Sequence, residues 1–455
     1  MRYSLLKTLL LSSSLAIVGS SIAYAQGAWV ASPDAIGGSL RAGSREAPVQ
    51  PGDETQLLVR NAKPGSTITV LRGTEVLTTE PVTVSEKGTV SIPFKVPANA
   101  ETGNHPLTVI SNNPAGVQLV NLKLSRVVPA SNAEAFDKTS AKVGERAYQS
   151  AVSKDGKLYV ASARGTKEES RLLRLDAKTL QVEAEANIPA SADKKDGVID
   201  VFGVQVDDEH NRVWTTNTLN ETVTVYDAGT LEPVKVFEEG SVVHPRDVVI
   251  NPATNRAYVN AALTNKVEVY DTEKLEHVGT LAYDANRGRE LFSTVSLVLD
   301  PEANRLYSVS RDTPWYGWID LQTGKNTTIR VPGLSGGSGI ALDPDTSRVW
   351  LSGQDSNNVI LLDDAGKVLA DTYVGAGAVS VAWDPVTKQA YAATRAGGTV
   401  AVLDADGKLV ANLPAGDLPN HVAVGPDGAV YVVTLYGAAG DKDPTGSVTR
   451  ITPKS

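Results

Sequence analysis

Residues 246–250 and 257–260 are short apolar runs, residues 266–270 alternate apolar with polar positions, and residues 277–281 close the unit. Period-two alternation predicts half-buried strands, and short apolar runs between turn residues predict strands covered on both faces. This segment therefore reads as four strands. The reading repeats along the chain. Tyr159, Trp214, Tyr258, Tyr307, Trp350, Tyr391 and Tyr431 fall in one column, at intervals of 55, 44, 49, 43, 41 and 40 residues. Thirteen residues after five of them stands an aspartate, at Asp227, Asp271, Asp320, Asp363 and Asp404, while Asp176 follows Tyr159 after 17 and implies a longer first hairpin. Asn251-Pro252, Asp300-Pro301, Asp343-Pro344 and Asp384-Pro385 mark tight turns between the first two strands of a unit, because proline fixes φ and the short side chains cap the turn.

One four-stranded unit cannot bury both of its faces. Seven units stacked radially can, and only short edges are left. The expected fold is all-β, with a seven-bladed β-propeller over residues 136–455. The seventh repeat, 419–453, supplies three strands, so the fourth is expected from ahead of the first repeat, within 136–147. Residues 26–128 carry a different pattern: alternating runs at 55–59, 67–71, 82–85, 89–95, 106–110 and 117–124, separated by turns such as Pro64-Gly65. Six or seven short strands in about 100 residues suggest an immunoglobulin-like sandwich without the cystine of antibody domains. A hydrophilic joint at 129–135 connects the two.

The second strand Tyr258-Val259-Asn260 and the third strand ending Val269-Tyr270-Asp271 resemble the YVTN-repeat propellers, in particular the YncE-like periplasmic family. The resemblance covers 136–455 and implies a periplasmic propeller that binds DNA, with single strands the favoured form. The sandwich ahead of the propeller departs from the short form of that family.

Composition narrows the chemistry. The chain has no cysteine, a single methionine at its start and five histidines. Thiolate metal centres, iron–sulfur clusters and cysteine nucleophiles are excluded. Arg2 and Lys7, a serine-diluted apolar stretch over 8–23 and Ala23-Tyr24-Ala25 form a signal peptide expected to be cleaved after residue 25. The expected product is periplasmic, monomeric and not inserted in the membrane, and a thiol-free chain suits that oxidising compartment. The formal charge is −9, or −11 once Arg2 and Lys7 are removed. Residues 26–135 are neutral, with nine basic and nine acidic side chains, so the whole excess sits on the propeller. Bulk electrostatics thus opposes a polyanion unless a local basic patch reverses it.

Candidate ligand residues come from the loops that a propeller gathers around its axis. The hairpin after the second strand brings Arg311, Gln354 and Arg395 to equivalent sites in consecutive blades. Inter-blade loops add His244, Arg246, Arg287, Arg289, Asn420 and His421, and the long first hairpin adds Arg164 and Lys167. Converging guanidinium groups suit a phosphate or carboxylate. The competing reading is solvated loop charge, because Asp247, Glu290, Asp312, Asp355 and Asp417 are interspersed. Trp315 falls at a hairpin tip, where it would either stack a base or sugar or pack against the next blade. Tyr148 and Phe202 share the register of Arg246 and are expected to plug the channel.

No hydrolase, zincin, P-loop or EF-hand motif occurs. The innermost strands start at Tyr148, Phe202, Arg246, Val295, Ser338, Val379 and Asn420, without the carboxylates that hold a divalent cation in lactonase-type propellers. No metal or cofactor is expected. The favoured function is non-catalytic binding of single-stranded DNA or another small anionic ligand. Two other classes stay open: a propeller hydrolase or lyase acting on a lactone or macrocycle, and a scaffold for a periplasmic or outer-membrane protein.

Overall fold

A computed structural model describes residues 36–44, 47–144, 146–163, 170–193, 197–284, 290–436 and 445–454. The signal segment lies outside them. The chain divides into two compact units, the second comprising Lys123–Ser455 with the short segments Ser44–Pro51 and Ala98–Gly103.

The first unit holds a sheet of Ser39–Ala42, Glu54–Arg60 and Val90–Lys95, and all but the end residues Gly103, Lys123 and Leu124 of a second sheet built on Thr67–Arg72, Gly103–Asn112 and Gly116–Leu124. Strict alternation decides which face is covered. Leu57, Val59, Ile68, Val70, Ile92, Leu107 and Val109 are buried, and their neighbours in sequence are not.

The second unit is a seven-bladed β-propeller. Six blades are four consecutive antiparallel strands, as in blade 3 with Pro245–Asn251, Arg256–Ala261, Lys266–Asp271 and Glu276–Ala282. Blade 7 takes Pro419–Val424, Val430–Thr434 and Ser447–Pro453 from the end of the chain and Phe136–Lys142 from before blade 1. The innermost strands of neighbouring blades touch all the way round, blade 7 meeting blade 1.

The seven column aromatics are the wedges between blades. None is more than 5% exposed. Covering each contributes roughly 1.5–3 kcal/mol relative to leaving it in water. Buried phenols need partners, and the Tyr159 and Tyr431 hydroxyls donate across a seam to the carbonyls of Ala228 and Ala177, at 3.1 and 2.9 Å. The recurring aspartate is a turn device. Asp227 Oδ1 accepts the N–H groups of Gly229 and Thr230, and Asp320 Oδ1 those of Gln322 and Thr323, at 2.8–3.0 Å. These bonds hold both carboxyls below the usual aspartate range.

Candidate functional site

The inner edge of each innermost strand faces the axis, and its N–H and C=O groups have no further strand to pair with. Buried backbone groups need partners. One register, two residues before the partner of the column aromatic, holds Gln149, Gly203, Asp247, Ser296, Gly339, Ser380 and His421, and the five with side chains supply them. Gln149 Oε1 accepts Val204 N–H at 3.2 Å, Asp247 Oδ2 accepts Leu297 N–H at 2.9 Å, Ser380 Oγ accepts Val422 N–H at 3.2 Å, and His421 Nδ1 accepts Ser150 N–H at 3.4 Å. Each bond crosses to the next blade. Ser296 Oγ donates across its seam to the Ser338 carbonyl at 2.7 Å, and Ser338 Oγ to that of Val379 at 2.8 Å. Between blades 2 and 3 the backbones approach so closely that a Cβ on Gly203 would lie 2.4 Å from the Arg246 carbonyl oxygen.

This belt surrounds a cavity of about 440 Å³ lined by innermost-strand residues of all seven blades, among them Arg246, Asn420 and His421. Burial, reinforced by the nearby Arg246 cation, lowers His421 to about 4, so its ring is neutral at pH 7 and free to accept a hydrogen bond. Asp247 is raised, chiefly by burial and against the pull of its backbone donors, Arg246 and Gln149.

The loops at this end of the belt form a mouth. Tyr148 and Phe202 meet edge-to-face with ring centroids 5.0 Å apart. Beside them Asn420 Nδ2 donates to the Tyr148 carbonyl at 2.6 Å, and Asn420 Oδ1 accepts from Arg395 Nη2. Arg311 Nη1 donates to Gln354 Oε1 at 2.6 Å, and the Gln354 carbonyl accepts from Lys123 Nζ. Arg246 and Arg311 lie near enough for their charges to act on Arg395. Burial lowers Arg395 to about 10, and the Arg246 and Arg311 cations add to that while Tyr148 opposes it. Lys123 is lowered to about 8 by burial, with Asp355 opposing and Arg311 assisting. The Nε–H groups of Arg246 and Arg395 have no partner among the described residues.

Five of the sequence candidates therefore converge: Arg246, Arg311, Gln354, Arg395 and Asn420. His421 lines the cavity but commits Nδ1 to the belt. His244 is half-buried in the loop before Arg246, which helps to lower its pKa, though burial is the larger cause. Arg164, Lys167, Arg287 and Arg289 lie outside the described residues. Trp315 is not an exposed platform. It opens the third strand of blade 4 opposite Arg330, is 8% exposed, packs with Phe292 and Tyr283, and donates Nε1–H to Glu290 Oε2 at 2.7 Å. Two interspersed acids are likewise committed: Glu290 to Trp315 and Arg330, Asp247 to backbone N–H groups. Gln149, Ser296 and Ser380 escaped the sequence reading, because four different side-chain types do one job and only a register fixed by pairing reveals it. Among the described residues no group of three or more His, Asp or Glu could hold a metal ion.

Comparison with known proteins agrees with this architecture. The YncE proteins of Salmonella typhi and Escherichia coli K12, both uncharacterised, are 27% identical to this chain over 247 residues, 50% of it and 65% of their own length. The propeller is YncE-like. The chain thus matches just under two thirds of the length of these curated relatives, and no family model matches it. Among solved structures, hydrazine synthase of Kuenenia stuttgartiensis (20% identity, TM-score 0.54, 65% of this chain and 94% of that one) shares the fold of the YncE-like unit. So does a streptogramin B lyase (12%, TM-score 0.56, 71% and 100%). The WD40 repeats of RRP9 (11%, TM-score 0.57, 72% and 100%) do as well.

Proposed function

We propose that this is an exported, non-catalytic periplasmic binding protein whose YncE-like propeller takes an anionic ligand at the axial mouth, single-stranded DNA being the ligand the family resemblance implies. The observation that carries the reading is the convergence of Arg246, Arg311 and Arg395. Among the described residues, Arg311 and Arg395 bond to neutral amide and carbonyl oxygens and stand in no ion pair. A partly buried guanidinium that stands in no ion pair gains strongly from a phosphate or carboxylate that supplies one. Export rests on the signal segment and the thiol-free composition. The N-terminal unit is read as an immunoglobulin-like sandwich available to a periplasmic or outer-membrane partner.

The −11 charge of the propeller sets the scale of the affinity. Binding is measurable at low salt and fades toward physiological salt as the local patch is screened. Fluorescence anisotropy of a labelled single-stranded oligonucleotide, titrated at several salt concentrations, tests this. Replacing the three arginines together with glutamine abolishes the signal. Absence of binding at the lowest salt, or binding indifferent to the triple replacement, removes the reading.

A further inference from the structure

The mouth has a cationic side and an aromatic side. At one height around the axis, blade 3 contributes Arg246 and blade 7 contributes Asn420, while blades 1 and 2 contribute Tyr148 and Phe202, packed edge-to-face at 5.0 Å. The cations are positioned before any ligand arrives. Asn420 is held by the Tyr148 carbonyl and in turn holds Arg395, and Gln354 holds Arg311 while its carbonyl is held by Lys123. Among the described residues none of the three arginines stands in an ion pair. The oxygens of Asp247 accept backbone N–H groups of the belt, those of Glu290 bind Trp315 and Arg330, and Asp355 acts on Lys123.

We propose that the mouth is built for a phosphomonoester dianion, so that a single strand docks by a phosphorylated end and not by its internal phosphodiesters. The inference rests on the anion-binding reading above and narrows its ligand class. Charge decides between the two phosphates. A monoester carries roughly −1.5 to −2 at pH 7 with three free oxygens, whereas a diester carries a single charge on two. Where water is partly excluded, the Coulomb gain scales with that charge. Geometry points the same way, since an internal phosphate must bring chain past the mouth on both sides, and Tyr148 and Phe202 occupy one of them. A terminal phosphate enters end-on, and its nucleoside remains beside the aromatic pair. Fixed donors also spare the ligand the cost of ordering them.

The test uses the full chain and a short 3′-labelled oligothymidylate, with and without a 5′-phosphate, in anisotropy titrations at low salt. The phosphorylated strand should bind about tenfold more tightly, the worth of one added charge-assisted hydrogen bond. Inorganic phosphate and thymidine 5′-monophosphate should displace it, and thymidine should not. A strand end that outcompetes the mononucleotide identifies nucleic acid as the source, and equal competition identifies free nucleotides. Arg395→Gln should lower the phosphorylated strand to the level of the hydroxyl strand, and Arg311→Gln should do so in part, both with an unchanged melting midpoint. Equal binding of the two strands would overturn the dianion proposal and leave the anion-binding reading standing. Binding of neither strand would overturn both.

Discussion

Asp247 Oδ2 in blade 3 accepts the backbone N–H of Leu297 in blade 4 at 2.9 Å, so a carboxylate at the axis serves as a clasp between blades. Its other oxygen accepts Val248 N–H at 3.0 Å. An acid beside Arg246 would ordinarily be read as its counter-ion. Here both of its oxygens accept backbone N–H groups, and among the described residues no ion pair joins it to Arg246, although the two charges still act on one another.

Removing the clasp should be costly. Asp247→Ala leaves two N–H groups near the axis without acceptors, each worth about 1–3 kcal/mol when buried. A loss of about 3 kcal/mol in urea unfolding is expected, and Asp247→Asn, which keeps one acceptor, should lose less. An alanine variant as stable as the parent would show that water substitutes for the carboxylate.

His421 makes the clasp between blades 7 and 1 sensitive to acid. Its folded value of about 4 lies below the ordinary 6.5, so between these values the unfolded chain binds the extra proton. Stability from this group is complete above pH 6.5 and declines as pH falls toward 4, by up to about 3 kcal/mol. Asp247 works in the opposite sense, because a raised carboxyl favours the folded state as acid is added. His421→Asn keeps an acceptor that does not titrate. Its melting midpoint should therefore fall less than the parent's between neutral and acidic buffer, and parallel curves would refute the assignment.

The regular parts of this fold are written as spacing. The aromatic column put Tyr258 opposite the strand that contains Val249, and pairing places those two residues face to face. The aspartates thirteen residues on recur because each turn needs an acceptor for its backbone N–H groups. Residue type alone could not reveal the belt, because Gln149, Asp247, Ser380 and His421 have in common only an acceptor atom at one height. Trp315 misled for a related reason. Counting placed it at a hairpin tip, but it is the first residue of the strand, opposite Arg330, and its ring packs with Phe292 and Tyr283. The joint at 129–135 also does more than connect. Ser131 and Asn412 exchange backbone hydrogen bonds at 3.0 Å, and Asn412 Nδ2 donates to the Val128 carbonyl at 2.9 Å.

Ring closure gives a stability prediction. Phe136–Lys142 pairs with Ser447–Pro453 from Phe136↔Pro453 to Lys142↔Ser447, and Phe136, 8% exposed, packs with Val432 and Ile451. Phe136→Ala should cost about 3 kcal/mol. A chain beginning at Ala147 should melt far below one beginning at Lys123, because blade 7 then presents an unpaired edge and an uncovered apolar face. Similar melting of the two chains would mean that blade 7 closes without its fourth strand.

The last prediction separates the mouth from its surroundings by salt. Each phosphate contact made by a cation releases counterions, and losing one lowers the slope of log affinity against log salt by about 0.7 for a single strand. Arg246→Gln and Arg395→Gln should each show that decrement. Arg330 offers the contrast, since it lies on the outermost strand of blade 4, has a 58% exposed side chain and pairs with Glu290 at 3.1 Å. Arg330→Gln removes the same formal charge from the protein and should leave the slope where it was. Trp315→Ala should act by yet another route: it empties a packed site, costs about 3 kcal/mol of folding stability, and leaves the slope untouched because its ring faces protein. The measurement is the same oligonucleotide titration run in parallel on the four variants. Equal decrements for Arg246→Gln and Arg330→Gln would mean that net charge governs binding, and the converging arginines would then have no special part in it.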